Sequence, residues 1–284
     1  MVLNVARMTL GSFRMRLVAI FAIGLSVCVL PVRADDELIA TAATKSEDDE
    51  KPAVNPAHPL YKLLLVAYKS KKHLESVDDY VCTFSKKEML KSKLLETTMT
   101  LKIREKPFSV YLKFRDANEG REVIYVEGMH KNNLLVHEGG LKSFIGTLTL
   151  SPKGPDAMAD NKYPVTSIGL RNMVDTVIKQ WETEGKFGGI KVQQREAKLP
   201  TGEACIAYEA IHEPFKEFKF HTTRLYVDTQ TGIAIGIQQF AFPGKNEEKT
   251  PIAEEYFYAQ LKTNLKLTNR DFDPKNPDYK FEWK

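Results

Sequence analysis

Three stretches between Tyr80 and Phe114 carry apolar side chains at every second position, a period that fits a half-buried β-strand and no helix. The apolar faces are Tyr80, Cys82 and Phe84; then Met99, Leu101 and Ile103; then Phe108, Val110, Leu112 and Phe114. Polar residues between them would face water, the pattern of antiparallel strands covered on one side. Lys106-Pro107 separates the second stretch from the third. Asn118-Glu119-Gly120 leads into a strand over 122–127, and the chain returns through a turn at 128–132 to residues 134–137. A further strand is expected over 144–150. The second half repeats the theme over 190–195, 204–211, 218–228, 233–242 and 254–261, with Thr229-Gln230-Thr231-Gly232 as a hairpin turn.

Two helices interrupt this pattern. Pro59 suits a first helical turn, and Leu60, Leu64, Ala67, Tyr68 and Leu74 recur at helical spacing, so a helix should run to about Ser76. The second is amphipathic. Leu170, Met173, Val174, Val177, Ile178 and Trp181 form one apolar stripe, with Arg171, Asp175, Lys179 and Gln180 opposite, so this helix must lie on something. The order is helix, strands, helix, strands, about ten strands in all. Segregation of that kind predicts an α+β fold built on a large antiparallel sheet, not a parallel α/β fold. The aromatic residues Tyr80, Phe84, Phe108, Phe114, Trp181, Phe240 and Phe257 can all be phased onto one side of such a sheet.

The N-terminus has the order of a secretion signal: Arg7, Arg14 and Arg16, an apolar run from Leu17 to Leu30, then Pro31 and Val32-Arg33-Ala34. That run is shorter than the roughly 20 residues a membrane-crossing helix needs. Cleavage after Ala34 is expected, leaving no transmembrane segment and placing the chain in the periplasm or cell envelope. Residues 35–55 contain few large apolar side chains and read as a flexible leader, and 56–284 as a single domain. The signal holds Arg7, Arg14, Arg16 and Arg33 and no acid, so without it the 37 acidic residues are matched one for one by basic ones. The basic pI of about 8.7 is therefore a property of the targeting segment. A neutral chain lacks the basic footprint that a nucleic-acid partner requires.

Cys82 and Cys205 remain after cleavage, in a compartment where disulfides persist. They are either one bridge or two buried thiols, since sequence gives no distance between them. No spacing in the chain assembles a zinc site, a phosphate loop, a dinucleotide turn or a nucleophile elbow, and no metal or cofactor is expected. The six histidines do not fall four residues apart. His137-Glu138 and His221, if on neighbouring strands, are the one place where a site could converge. Lys86-Lys87-Glu88 and Arg104-Glu105-Lys106 read as solvated strand ends or as the charged rim of an apolar cavity.

The segment Leu101-Lys102-Ile103-Arg104-Glu105-Lys106-Pro107-Phe108, followed by Tyr125-Val126-Glu127-Gly128, resembles the early hairpins of the periplasmic lipoprotein-sorting carriers, the LolA/LolB-like proteins. Residues 225–233, Leu-Tyr-Val-Asp-Thr-Gln-Thr-Gly-Ile, resemble a later hairpin of the same proteins. Over about residues 58–281, with Asp79-Tyr80-x-Cys82-x-Phe84 and Lys87-Glu88, the chain is also similar to exported bacterial proteins grouped as domain of unknown function 1571. The carrier resemblance implies a curved antiparallel half-barrel whose concave face, covered by the helices, holds acyl chains or another hydrophobic ligand. The lining would then be Tyr80, Phe84, Leu101, Ile103, Phe108, Val110, Leu112 and Phe114, with Leu170, Val174, Val177 and Trp181 from the helix. Arg104 matches the arginine that helps close the carriers' cavity, with two residues standing between it and Pro107. The function expected is non-enzymatic binding of lipid, lipidated protein or a hydrophobic peptide. The alternatives are a scaffold that contacts an envelope protein, with the cavity filled by side chains, and a hydrolase whose residues meet only in space.

Overall fold

The computed structural model describes residues 51–116, 118–245 and 249–282; the expected secretion signal and most of the expected leader lie outside them. Helix α1 (Leu60–Glu75) is followed by strands β1 (Asp79–Leu90), β2 (Lys93–Arg104), β3 (Ser109–Phe114), β4 (Glu122–Val126), β5 (Leu134–His137) and β6 (Thr147–Leu150). A single turn, α2 (Pro155–Met158), and helix α3 (Leu170–Glu184) lead to β7 (Ile190–Lys198), β8 (Ala204–His212), β9 (Thr222–Asp228), β10 (Ala234–Phe240) and β11 (Ile252–Thr263). All eleven strands form one open antiparallel sheet in the order β6-β5-β4-β3-β2-β1-β11-β10-β9-β8-β7, curled into a half-barrel. Every strand pairs with the next in sequence except β6 and β7, which form the two edges, and the one pair that is not sequential, β1 with β11, is where two meanders meet.

Register fixes which side chains share the concave face. Tyr80 pairs with Ile103 and Ile103 with Val110; Cys82 pairs with Leu101 and Leu101 with Leu112; Phe84 pairs with Met99 and with Tyr258. Further along β1 the same face carries Lys86 and Glu88. The chain leaves the sheet at one edge, β6, and re-enters at the other, β7, so the connection has to cross a face. Helix α3 makes that crossing over the concave side, packed against α1. Its whole apolar stripe, from Leu170 to Trp181, is buried.

Two tyrosine hydroxyls hold the start of α3. Leu170 N–H donates to Tyr80 Oη at 2.9 Å and Gly169 N–H donates to Tyr258 Oη at 3.1 Å, which satisfies donors that a helix N-terminus otherwise leaves unpaired. Burial raises both phenols, so they remain protonated. Gly169 adopts a φ of +120°, and a Cβ there would stand 3.1 Å from both Ile103 Cδ1 and Tyr80 Oη. Arg171, one residue further, donates through Nη2 to Leu74 O at 2.8 Å and Val77 O at 2.9 Å, closing the C-terminal end of α1. A single turn of α3 thus binds the sheet and the other helix at once.

Several details differ from the sequence reading. The β1–β2 hairpin is longer, because Lys91 and Ser92 take left-handed φ values of 47° and 64° in a two-residue turn that carries no Asn-Gly signal. Lys86 and Glu88 are therefore buried inside β1 instead of solvated at its end. Phe144 sits on an exposed 3₁₀ turn (Gly140–Ile145), and β6 starts after it. Phe218 belongs to the loop before β9. Phe240 and Phe257 lie on the outer face, since Gln239 and Tyr258 take the inward positions next to them. Val54, expected in a flexible leader, is buried against Gly185.

The outer face of β2–β5 is also covered. Beyond β11 the chain turns back across it: the Leu265 and Leu267 N–H groups donate to Asp79, Tyr279 stacks on Tyr111 at 4.2 Å, and Phe272 and Phe281 pack with Ile124 and Leu135. Both faces of β4 are thereby buried, and so are those of β5.

The cysteines do not form a bridge. Cys82 is on β1 and Cys205 on β8, with β11, β10 and β9 between them, four strand spacings of about 4.8 Å each where a bridge spans roughly 6 Å between Cα atoms. Both are buried free thiols, and burial raises the pKa of each. A chain of residues 35–284 should accordingly titrate two thiols with Ellman's reagent in denaturant and none rapidly in the native state; zero in denaturant would mean a bridge. Tyr80→Phe, which leaves the Leu170 N–H without its acceptor, is expected to lose about 1–3 kcal/mol of stability in urea unfolding. An unchanged midpoint would mean that the hydroxyl does not hold α3.

Candidate functional site

Helices α1 and α3 cover the concave face over Tyr80, Ile103 and Val110, and α3 runs on to meet Gln239, Thr223 and His212 on β8–β10. Toward the other end of β1, along Phe84, Met99 and Phe114, a cavity of about 210 Å³ remains. Its floor is the sheet, including Leu112, Val123, Ile237, Tyr256 and Tyr258. Its roof is the connection to α3, residues 155–168, together with Met173 and Thr176 from α3 itself. That connection offers few bulky aliphatic side chains to the cavity: Ala157, Val165 and Ile168 line it together with Tyr163, Pro164, Asp160 and Asn161.

The sequence-expected lining is thus divided. Phe84, Leu112 and Phe114 face the cavity. Tyr80, Leu101, Ile103, Val110, Leu170, Val174, Val177 and Trp181 are instead the packed core beneath the two helices, and Phe108 packs at its margin near Tyr125. Arg104 does not close the cavity. It lies one residue from the inward Ile103 and so on the outer face, where it donates to Asn269 Oδ1 at 2.8 Å and Ser109 Oγ at 3.0 Å and stacks over Phe272. It holds the C-terminal segment.

A charged network joins the roof to the sheet. Lys86 Nζ meets Glu88 at 3.0 Å and bonds the side chain of Asn161; Lys162 Nζ meets Glu254 at 2.8 Å. Tyr256 Oη donates to Glu88 at 2.6 Å and Tyr163 Oη to Glu254 at 3.0 Å. Burial and the neighbouring carboxylates raise both phenols, which keeps them protonated as donors. Two ammonium groups and two carboxylates balance, so the charges cancel within the latch. Lys86, Glu88, Glu254 and Asn161 also line the cavity, so the hollow is apolar over Phe84, Met99 and Phe114 and charged along the flank where the roof is held.

A second buried polar group was not legible as a pair. His212 Nε2 lies 3.0 Å from Glu184 Oε2, and Glu184 Oε1 accepts from Gln180, which also reaches Thr223 and Gln239. Glu184 continues the apolar stripe of α3 by one more step, three residues after Trp181, and a carboxylate in that phase was the available signal. His137 and His221 do not converge: His137 is on β5 and His221 precedes β9, at opposite wings of the sheet. His221 bonds the hydroxyl of Thr222 at 2.8 Å. Among the described residues no cluster of three or more His, Cys, Asp or Glu could hold a metal ion, no helix is long and apolar enough to cross a membrane, and neither histidine nor cysteine lines the cavity.

No curated protein matches the sequence. Among solved structures, the chain is similar to the lipoprotein LppX of Mycobacterium tuberculosis, with 10% identity over 75% of this chain and 98% of that one and a TM-score of 0.43. LprF of Mycobacterium bovis aligns at 9% identity over 75% and 98%, with a TM-score of 0.39. A putative outer membrane lipoprotein-sorting protein domain from Vibrio parahaemolyticus aligns at 13% identity over 74% and 95%, with a TM-score of 0.35. Residues 77–281, from the start of β1 to the C-terminal segment that covers the outer face, match a sequence family as one unit: the chain belongs to the proteins of unknown function grouped as DUF1571.

Proposed function

We propose that this protein is an exported, cell-envelope binding protein that holds a hydrophobic ligand, an acyl chain or a comparable apolar group, beneath the roof of its concave face without chemistry on it. The unfilled apolar hollow over Phe84, Met99 and Phe114 carries this reading. Protein interiors are close-packed, and a void of this size forfeits contacts that a ligand would restore. Each methylene taken from water is worth about 0.8 kcal/mol, so a handful of them gives useful affinity with no catalytic group.

Size decides what the roof must do. An engineered apolar cavity of about 150 Å³ holds one benzene, so 210 Å³ takes a short apolar segment only. A longer chain requires residues 155–168 to lift, and the Lys86–Glu88 and Lys162–Glu254 contacts resist that. The hollow also weighs against a scaffold whose concave face is filled by its own side chains.

The chain isolated from its envelope without detergent should carry stoichiometric lipid in native mass spectrometry. Ala157→Trp, which hangs an indole from the roof into the hollow, should weaken binding of a fatty acid about tenfold, a loss of about 1.4 kcal/mol, with the thermal midpoint unchanged. A clean apo mass together with no thermal shift from added acyl lipids would sink the proposal. Glu254→Gln removes one latch carboxylate and should speed ligand entry and amide exchange in residues 155–168. If neither rate moves, the roof is not the entrance.

A further inference from the structure

A recess on the outer side of the sheet, at the same end as the cavity, brings together Lys113, Arg115, Lys280, Gly139, Gly140 and Ser143. The two loops that form it approach closely: a Cβ on Gly139 would fall 2.2 Å from Glu119 O and 2.7 Å from Arg121 N, so only glycine permits the contact. Its charges are poorly matched. Lys113 Nζ lies 3.4 Å from buried Glu122, whose other oxygen accepts the Lys280 N–H. Arg115 spends its guanidinium on hydroxyls, Nε to Thr100 Oγ1 at 2.8 Å and Nη1 to Thr83 Oγ1 at 3.3 Å. Among the described residues neither Arg115 nor the Lys280 ammonium has a carboxylate partner, and Glu119 is the one acid that lines the recess. Three cations around a concave surface, two of them unpaired, suit an anion with several acceptor oxygens.

The turn that supplies Gly140 and Ser143 carries the most exposed apolar side chains of the described chain. Leu141 is 93% and Phe144 83% exposed, with Ile145 at 45% and Lys142 between them. Bulky apolar side chains on a short turn, backed by unpaired cations, match the interface of an anionic bilayer, where the former enter the acyl boundary and the latter meet phosphates. We propose that this corner docks on an anionic phospholipid surface, with a lipid phosphate in the Lys113–Arg115–Lys280 recess and Leu141, Phe144 and Ile145 in the interface. Phe114 lines both the recess and the cavity, so docking here sets the cavity beside the membrane. The inference stands apart from the ligand reading, because none of its cations or exposed apolar residues lines the cavity.

The test is cosedimentation of the chain with phosphatidylcholine vesicles with and without phosphatidylglycerol. Binding is expected only with phosphatidylglycerol, falling as salt rises. Arg115→Gln with Lys280→Gln should weaken it roughly thirtyfold, and Leu141→Ser with Phe144→Ser about tenfold or more. All four substitutions are at the surface, so thermal midpoint and fatty-acid binding should not change. A parallel titration with glycerol phosphate reads the recess alone. Equal binding to both vesicle types, or binding that neither double variant reduces, overturns the proposal. So does saturable glycerol phosphate binding without vesicle binding, which would make the recess a site for a soluble anion. Vesicle binding that is lost in Ala157→Trp but kept in both double variants would place the lipid contact in the cavity instead and likewise overturn it.

Discussion

The two hydrogen bonds from the start of α3 to Tyr80 and Tyr258 are the join on which the architecture depends. A meander that leaves a sheet at one edge and re-enters at the other has to carry its backbone across a face, and a helix is the cheapest way to do so because it satisfies its own polar groups. Only its first turn needs outside acceptors. Here the sheet supplies them from two strands that neighbour each other across the seam, β1 and β11, so the helix start is pinned where the two meanders meet. Arg171 then ties α1 to the same turn.

The hollow follows from where that pin lies. With Gly169 fixed over Ile103 and Tyr80, everything C-terminal to it presents a dense stripe to the sheet, and everything N-terminal to it is a polar connection with few bulky aliphatic side chains to offer. The concave face is therefore solid on one side of the pin and empty on the other. The roof over the empty part is held by ionic and phenolic contacts, which depend on geometry and solvent access more than on buried area.

Much of this fold was legible. Period-two alternation in β1–β3 and the stripe from Leu170 to Trp181 each have one physical interpretation, and both helices fall where spacing puts them. The outer covering was less so, although the signal existed: 122–126 (Glu-Val-Ile-Tyr-Val) and 134–137 (Leu-Leu-Val-His) are apolar at successive positions where a strand wet on one side would alternate. The cavity lining could be read only by face. Alternation says that Ile103 and Phe84 point the same way, and says nothing about which of them lies under a helix, because that depends on where a crossing chain touches down. Lys86 and Glu88 stayed ambiguous for a related reason: charged residues in an inward phase fit a strand end or a cavity rim equally until their partners, Asn161 and Lys162, are known to arrive from residues more than seventy positions away and both are seen to line the cavity.

The seam between β1 and β11 also governs how the molecule can be assembled. Every other strand pair joins sequence neighbours and can zip as the chain appears, whereas β1 must wait for Ile252–Thr263, the last strand of the sheet in chain order. Until then β1 is a long free edge beside an uncovered apolar concavity, the combination most prone to pairing with another chain. Closure of so distant a contact makes the final step slow relative to the hairpins before it. In a nascent chain, the first meander would exist for some time as a half-molecule with an open flank.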